Sequence, residues 1–309
     1  MTLPLQPNLL GLPLAPAQCV VDSTKELFVQ QKIIDAAREN CLNDSTVLPN
    51  YLDAYRLWIN STTLNSVTGL DQYPVAAITA GTSESFDKFY LKHNGSRFRC
   101  FQGEYLYHRL SWQHQRVTWR YLGDEPIRSG DAVVISLPFA DTGDMHPLYN
   151  KQLLDQCQAL NVPVLLDCAF FGICANIDFD FLHPAITDVC FSLSKTFPVS
   201  TLRIGIRFTR QDDGDSLLIY NNTQYINRFA ASVGLKLLKS QSPDEIYQRY
   251  AKQQHIWCHT HNLVPSNTVI FGIDHEHQFD QYNRGMEHTN RLCFSKYFES
   301  GVLPENVKL

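Results

Sequence analysis

A chain of 309 residues that is 44% apolar and 12% aromatic can build a sizeable core, which excludes an extended disordered chain. Its 26 Lys and Arg stand against 31 Asp and Glu, a formal charge of −5 with no block of like charges. That balance argues against nucleic-acid and membrane-surface partners.

The nine cysteines are scattered, form no CxxC pair, and in part sit inside apolar runs such as Leu165-Leu166-Asp167-Cys168-Ala169. Reduced, buried thiols in a cytoplasmic protein are the expectation. No apolar run reaches the length of a membrane span. The N-terminal stretch lacks a basic segment and is broken by Pro4, Pro7, Pro13 and Pro16, so no secretory signal is expected.

In chain order, the first twenty residues read as an extended arm, since recurrent prolines deny them helix and sheet hydrogen bonds. A helix is predicted from Ser23 or Thr24, with a hydroxyl cap and an apolar face of Leu27, Phe28, Ile33, Ile34 and Ala37. A second amphipathic helix is predicted over residues 49–59. Short apolar runs then alternate with helical stretches. Strands are expected at 75–79, 98–101, 117–121, 132–137, 162–166, 189–193 and 202–208, with a helix at 148–160 facing inward through Leu153, Leu154, Cys157 and Leu160. Apolar runs without alternation mark strands covered on both faces, and their alternation with helices predicts an α/β fold with a mostly parallel sheet. From Ser216 the pattern is helical to about His261, followed by strands at 268–273 and near 291–294. The chain thus divides into an N-terminal arm and helix (1–44), a large domain (45–215), and connecting helices with a small C-terminal domain (216–309).

In an open α/β sheet, ligands bind beyond the carboxyl ends of the strands, and three such ends are chemically loaded. Asp167 directly follows a buried strand, where a carboxylate is costly without a partner. Lys195 follows another, preceded by Ser192 and Ser194. The third, Ala77-Ile78-Thr79-Ala80-Gly81-Thr82-Ser83, runs from a strand into a helix N-terminus and makes a phosphate cradle from free backbone N–H groups. A lysine, an aspartate and a phosphate cradle are the parts pyridoxal 5′-phosphate needs: a Schiff-base partner, a counter-ion for the ring nitrogen, and a holder for the phosphate.

The stretch 135–205 resembles the class I/II aminotransferases of the fold-type I pyridoxal-phosphate superfamily, and the resemblance extends over roughly residues 45–295. Ser192-Leu193-Ser194-Lys195, followed by Leu202-Arg203-Ile204-Gly205, is similar to that family's lysine signature. The resemblance implies that Lys195 forms the Schiff base, that Ser192 and Arg203 hold the phosphate, and that Asp167 pairs with the ring nitrogen. It likewise implies that Gly81, Thr82 and Ser83 form the phosphate loop, and that Tyr105 stacks on the ring; the bland reading is that Tyr105 and its neighbours Tyr107 and Trp112 are core. It makes Arg291 the clamp on the substrate carboxylate, a task that suits a planar bidentate donor. A fold-type I architecture with its small domain formed by both chain ends, a homodimer with interfacial sites, and transfer of an amino group between an amino acid and a 2-oxo acid follow as expectations. Elimination, replacement or cyclisation through the same α-carbanion is the alternative, and a non-catalytic relative the third reading.

Two departures from the family pattern stand out. In Leu137-Pro138-Phe139-Ala140-Asp141-Thr142-Gly143, Ala140 occupies the place of the asparagine that bonds the cofactor's ring hydroxyl, and Phe170 that of a second, tyrosine donor. No counterpart of the tyrosine that the family lends across the dimer interface occurs near Asp44. Two further clusters read as surface features. His255, His259 and His261, with His275, Glu276 and His277, lack the Glu of an HExxH zinc motif. Asp212-Asp213-Gly214-Asp215 lacks the length of a calcium loop and reads as a turn.

Overall fold

In the computed structural model, residues 19–20, 22–39, 41–283 and 289–301 are described. Of the expected N-terminal arm, residues 1–18 therefore lie outside the described residues. The elements run α1 (Ser23–Arg38), α2 (Val47–Asn60), β1 (Ser66–Thr68), β2 (Val75–Thr79), α3 (Thr82–Lys92), β3 (Arg97–Cys100), α4 (Leu106–Gln115), β4 (Trp119–Tyr121), β5 (Asp131–Ser136) and α5 (Lys151–Ala159). They continue through β6 (Val164–Asp167), β7 (Asp178–Asp180), β8 (Ile186–Ser192), β9 (Gly205–Thr209), α6 (Ser216–Asn222), α7 (Arg228–Ser240), α8 (Glu245–Thr260), β10 (Val264–Pro265), β11 (Phe271–Asp274) and β12 (Asn290–Cys293).

Seven strands form the main sheet in the order β2-β9-β8-β6-β5-β3-β4. It is parallel except at β9, which runs antiparallel to both β2 and β8. Every residue of β5 and of β6 is buried, as a strand covered on both faces requires. Successive strands β2 and β3 are separated in space by the four strands between them, and the site described below opens at the carboxyl ends on that central stretch.

Two differences from the predicted elements have local causes. The first helix is capped by the Asp22 carboxylate, which accepts from the Lys25 N–H at 3.1 Å, not by a hydroxyl. Its buried side chains are Lys25, Val29 and Ala36; of the predicted apolar face Phe28 and Ile33 pack against the main core, while Leu27 and Ile34 are 66% and 43% exposed. The strand expected at 202–208 begins only at Gly205, because Arg203 adopts a left-handed conformation (φ 55°) and ends the preceding turn.

Helix α2 packs on α7 and carries Tyr51, Tyr55 and Trp58 as a chain of edge-to-face aromatic contacts at 5.6 and 5.8 Å. Gly234 of α7 has no side chain where Tyr51 lies, so the two helices approach closely. The Tyr51 hydroxyl donates to the Gly205 carbonyl at 2.9 Å, which fixes the start of β9 from the helical layer. Helix α6 packs on β2, and α7 packs on α2 and α1. A second core begins at Ile246 and joins α8, the antiparallel sheet β10-β11-β12, and Val20 from the N-terminal side. Phe170 and Ile173, just after β6, also belong to it, which seats this core beside the carboxyl end of the sheet.

Candidate active site

Four segments converge on one cavity of about 200 Å³. It is lined, among others, by Thr82 and Ser83 from α3, Tyr105 before α4, Asp167 from β6, and Ser192 and Lys195 from the end of β8. Arg203 and Arg291 also reach it, from the turn before β9 and from β12. The topology explains the convergence: β8 lies beside β6, and Ser192 and Gly205 are register partners on β8 and β9.

At one end, Gly81 (φ 76°) ends the β2 turn, and α3 begins with no side-chain cap. A methyl group on Gly81 would overlap the Arg203 guanidinium, and one on Gly205 would lie 2.8 Å from the Gly81 Cα. Glycine at both positions is what lets the arginine and two backbone turns crowd together. Arg203 Nη2 donates to the Ser83 Oγ at 2.8 Å, and the Ser192 hydroxyl donates to the Ser194 Oγ at 3.0 Å. A guanidinium, hydroxyls and uncapped helix N–H groups around one opening make an anion cradle.

At the other end, Asp167 is 5% exposed and accepts from the Ala169 N–H at 3.1 Å. Burial, and next the charge of Glu104, push its carboxyl up to about 7, while the Lys195 charge and the Thr82 hydroxyl pull it down. Burial lowers the Lys195 pKa, which raises its neutral, nucleophilic fraction. Glu104 and Ser136 are the residues that sequence reading missed. Glu104 is 4% exposed and accepts from the Ser136 N–H at 2.9 Å and its hydroxyl at 2.6 Å. The only sequence signal was a carboxylate directly before Tyr105.

Tyr105 is 47% exposed at the cavity mouth, its ring parallel to Tyr107 (14° between planes, centroids 6.0 Å). Trp112 is fully buried in the core beneath α4 and stacks on Phe98 at 5.3 Å, so it does not serve the site. Arg291 is 2% exposed, lies 4.2 Å over the Phe271 ring, and donates from Nη1 to the Ala140 carbonyl at 2.6 Å. Ala140 and Phe170 line the wall between, with a methyl and a phenyl where hydrogen-bond donors were absent from the sequence pattern.

Away from the cavity, the histidines of the second cluster and the acidic 212–215 run have local roles. Asp215 caps α6 through the Leu218 N–H, and Asp212 accepts from the Gly214 N–H, so the run is a turn. His255 Nδ1 lies 2.7 Å from the Ala251 carbonyl, and His277 pairs with Asp280. Among the described residues no group of three His, Cys, Asp or Glu could hold a metal ion, and no helix is long and apolar enough to cross a membrane.

No family model matches the chain, and no curated protein matches it in sequence. Solved structures do match. The aromatic aminotransferase of Pyrococcus horikoshii OT3 superposes with a TM-score of 0.67 at 12% identity, covering 92% of this chain and 91% of that one. The tyrosine aminotransferase of Leishmania infantum gives 0.63 at 13% identity, over 87% and 85%. The PLP-bound C-S lyase of Staphylococcus hominis gives 0.63 at 11% identity, over 86% and 83%. The fold is that of the fold-type I pyridoxal-phosphate enzymes.

In that fold the two ends of the cavity suit the cofactor. The crowded glycines leave room for the Arg203–Ser83 cradle at the phosphate end, and a buried carboxylate with a raised pKa at the ring end is one that a cationic partner would stabilise. The edge formed by Ala140 and Phe170 offers no side-chain hydrogen-bond donor to a ring hydroxyl.

Proposed function

We propose that this chain is a pyridoxal 5′-phosphate enzyme that transfers an amino group between an amino acid and a 2-oxo acid. The observation that carries this reading is the meeting of Lys195, Asp167 and the Arg203–Ser83 pair on one cavity of a fold-type I chain. Bound there, the cofactor would supply an electron sink for negative charge at the substrate's α-carbon.

The residues divide that work. Arg203, Ser83, Ser192 and Thr82, with the α3 N-terminus and Gly81, would hold the phosphate dianion. Lys195 Nζ would hold the cofactor covalently, and the Asp167 carboxylate would keep the ring nitrogen protonated. Displaced by substrate, the Lys195 amine would take the proton from the substrate's α-carbon, and the burial that lowers its pKa raises the fraction able to do so. Arg291, held over Phe271 with its Nη1 on the Ala140 carbonyl, would orient the substrate carboxylate. Phe170 and Pro138 give the cavity wall an apolar surface.

Elimination is the second reading, favoured by one observation: the ring-hydroxyl edge carries Ala140 and Phe170 instead of polar donors. A homodimer with sites at the interface and a cytoplasmic location complete the proposal. The second of these is supported by nine free cysteines, eight of them buried.

The purified protein should absorb visible light with pyridoxal phosphate bound, and Lys195→Ala should abolish that band. A protein that cannot be reconstituted with the cofactor would end both readings. On incubation with a panel of amino acids, a transaminase leaves the cofactor in its amine form and releases 2-oxo acid. Release of ammonia without the amine form selects elimination.

A further inference from the structure

We propose that Gln254 is a positioning residue for Arg291. By holding the turn between β10 and β11 it fixes both the ring beneath the guanidinium and the carbonyl at its edge, and so sets how well the site holds a carboxylate. The inference rests on the reading of Arg291 as the partner of the substrate carboxylate and concerns residues to which that reading gives no task.

Gln254 lies on α8 and is fully buried. Its amide nitrogen donates to the carbonyls of Ser266 at 2.8 Å, Thr268 at 3.2 Å and Phe271 at 2.7 Å. Carbonyl acceptors admit only the nitrogen of the amide, so these bonds fix its orientation. Burying an amide is costly unless its bonds offset the lost water, and these three all go to the one turn that joins β10 to β11.

That turn meets Arg291 from two sides. Phe271, where the turn passes into β11, carries the ring 4.2 Å beneath the Arg291 guanidinium. Before it, the Ser266 hydroxyl donates to the Thr142 carbonyl and the Thr268 hydroxyl to the Gly143 carbonyl, each at 2.7 Å. The Asn267 N–H donates to Asp144 Oδ1 at 2.8 Å. Those bonds hold the loop after β5, whose Ala140 carbonyl accepts from Arg291 Nη1 at 2.6 Å. Loop and turn are in close contact, since a methyl group on Gly143 would lie 2.6 Å from Ser266 Oγ and 2.7 Å from the Phe271 ring. Within the turn, the Thr268 N–H donates to Ser266 Oγ and the Phe271 N–H to the Thr268 carbonyl, each at 3.0 Å. The turn thus moves as a unit, and Gln254 is its anchor on α8. A guanidinium held on its face and at one edge keeps the direction of its N–H fork, on which bidentate recognition of a carboxylate depends.

The first readout needs no cofactor. In the NMR spectrum of the unmodified protein, the Arg291 side-chain protons, assigned with Arg291→Lys, should carry the upfield ring-current shift of a group seated over Phe271. Gln254→Met keeps the length of the side chain, removes its donors, and should move these signals toward ordinary arginine positions. Thr268→Val, which removes the donor to Gly143, should move them the same way, and Thr268→Ser, which keeps it, should leave them in place. An Arg291 without that shift in the unmodified protein overturns the proposal whether or not any variant folds, as do unchanged signals in a folded Gln254→Met.

The second readout is binding to the protein loaded with pyridoxal phosphate, followed in the visible spectrum. 2-Methylalanine has a carboxylate and no α-proton to lose, and tert-butylamine replaces that carboxylate with a methyl group. The unmodified protein should bind 2-methylalanine more tightly than tert-butylamine. Gln254→Met should raise the 2-methylalanine Kd roughly tenfold or more and leave that of tert-butylamine within about twofold. Equal weakening of both ligands marks a merely structural role and overturns the proposal alone, as does an unchanged 2-methylalanine Kd. No preference for 2-methylalanine in the unmodified protein overturns the Arg291 reading and the proposal together.

Discussion

The Arg203 guanidinium donates to the Ser83 hydroxyl at 2.8 Å, joining two segments 120 positions apart in the chain. It does so through space that only a glycine at position 81 leaves open. The turn before β9 and the start of α3 are therefore one unit, and the cradle depends on both.

Gly81→Ala places a methyl group on the guanidinium at a backbone φ of 76°, so it should both strain the turn and displace Arg203. A destabilisation of about 1 kcal/mol or more is expected in urea unfolding. Arg203→Ala should leave the turn intact and weaken pyridoxal-phosphate binding by roughly 10–100-fold, the loss of a charged hydrogen-bonding partner. Fluorescence titration of the cofactor-free protein measures both affinities.

The Asp167 carboxyl titrates at about 7 in the folded chain, against an ordinary value of 3.8. A folded-state pKa above the unfolded one means the native state holds the extra proton between those values. Stability from this group is thus fully present below about pH 4 and is lost as pH rises through 7. For the cofactor-free protein, the loss between pH 6 and pH 8 should be about 1.4 kcal/mol. Asp167→Asn should flatten that slope in urea midpoints taken at the two pH values.

Asp131 accepts from Arg97 Nε at 2.7 Å and from Arg99 Nη1 at 2.8 Å, and its side chain and that of Arg99 are fully buried. This cluster lies at the amino end of β5, away from the cavity. Asp131→Ala removes the carboxylate that Arg97 and Arg99 share, leaving Arg97 with Glu125 and the buried Arg99 with backbone carbonyls alone, and should cost about 3 kcal/mol in chemical denaturation. Glu125→Ala, which removes a half-exposed partner of Arg97, should cost less than about 1 kcal/mol.

Phe170→Tyr would add a hydroxyl to the wall where the ring-hydroxyl donors are missing. Phe170 meets Phe271 edge-on at 5.5 Å, and the ring keeps its volume in the exchange. With cofactor bound, the pH midpoint of the visible spectrum should fall by about one unit, because the new donor favours the deprotonated lysine link. A spectrophotometric pH titration of the two proteins decides it.

Much of the architecture was legible in local pattern. Fully buried strands such as β5 and β6 announce themselves as unbroken apolar runs, and Asp167 is conspicuous because a carboxylate closes one of them. Lys195, Ser192 and Arg203 were readable because their spacing is short and lies within one strand–turn–strand unit. The failures share a cause. Helix α1 has apolar residues on more than one face, and only its tertiary partners decide that Val29 and Ala36 pack while Leu27 stays in water.

The sequence by itself determined the α/β class, the mostly parallel sheet and the chemical identity of the groups at its carboxyl edge, since hydrophobic period and strand ends are local properties; the short strands β1, β7 and β10 carry too little pattern to be read. Only the tertiary structure decided that Glu104 grips Ser136 beside Asp167, that Arg203 threads past Gly81 to Ser83, and that Arg291 lies over Phe271 against Ala140. Those contacts join residues 32, 120 and 151 positions apart, and no local preference encodes a meeting at such range. Strand register and close packing bring them together, and with them the charge balance on which the site depends.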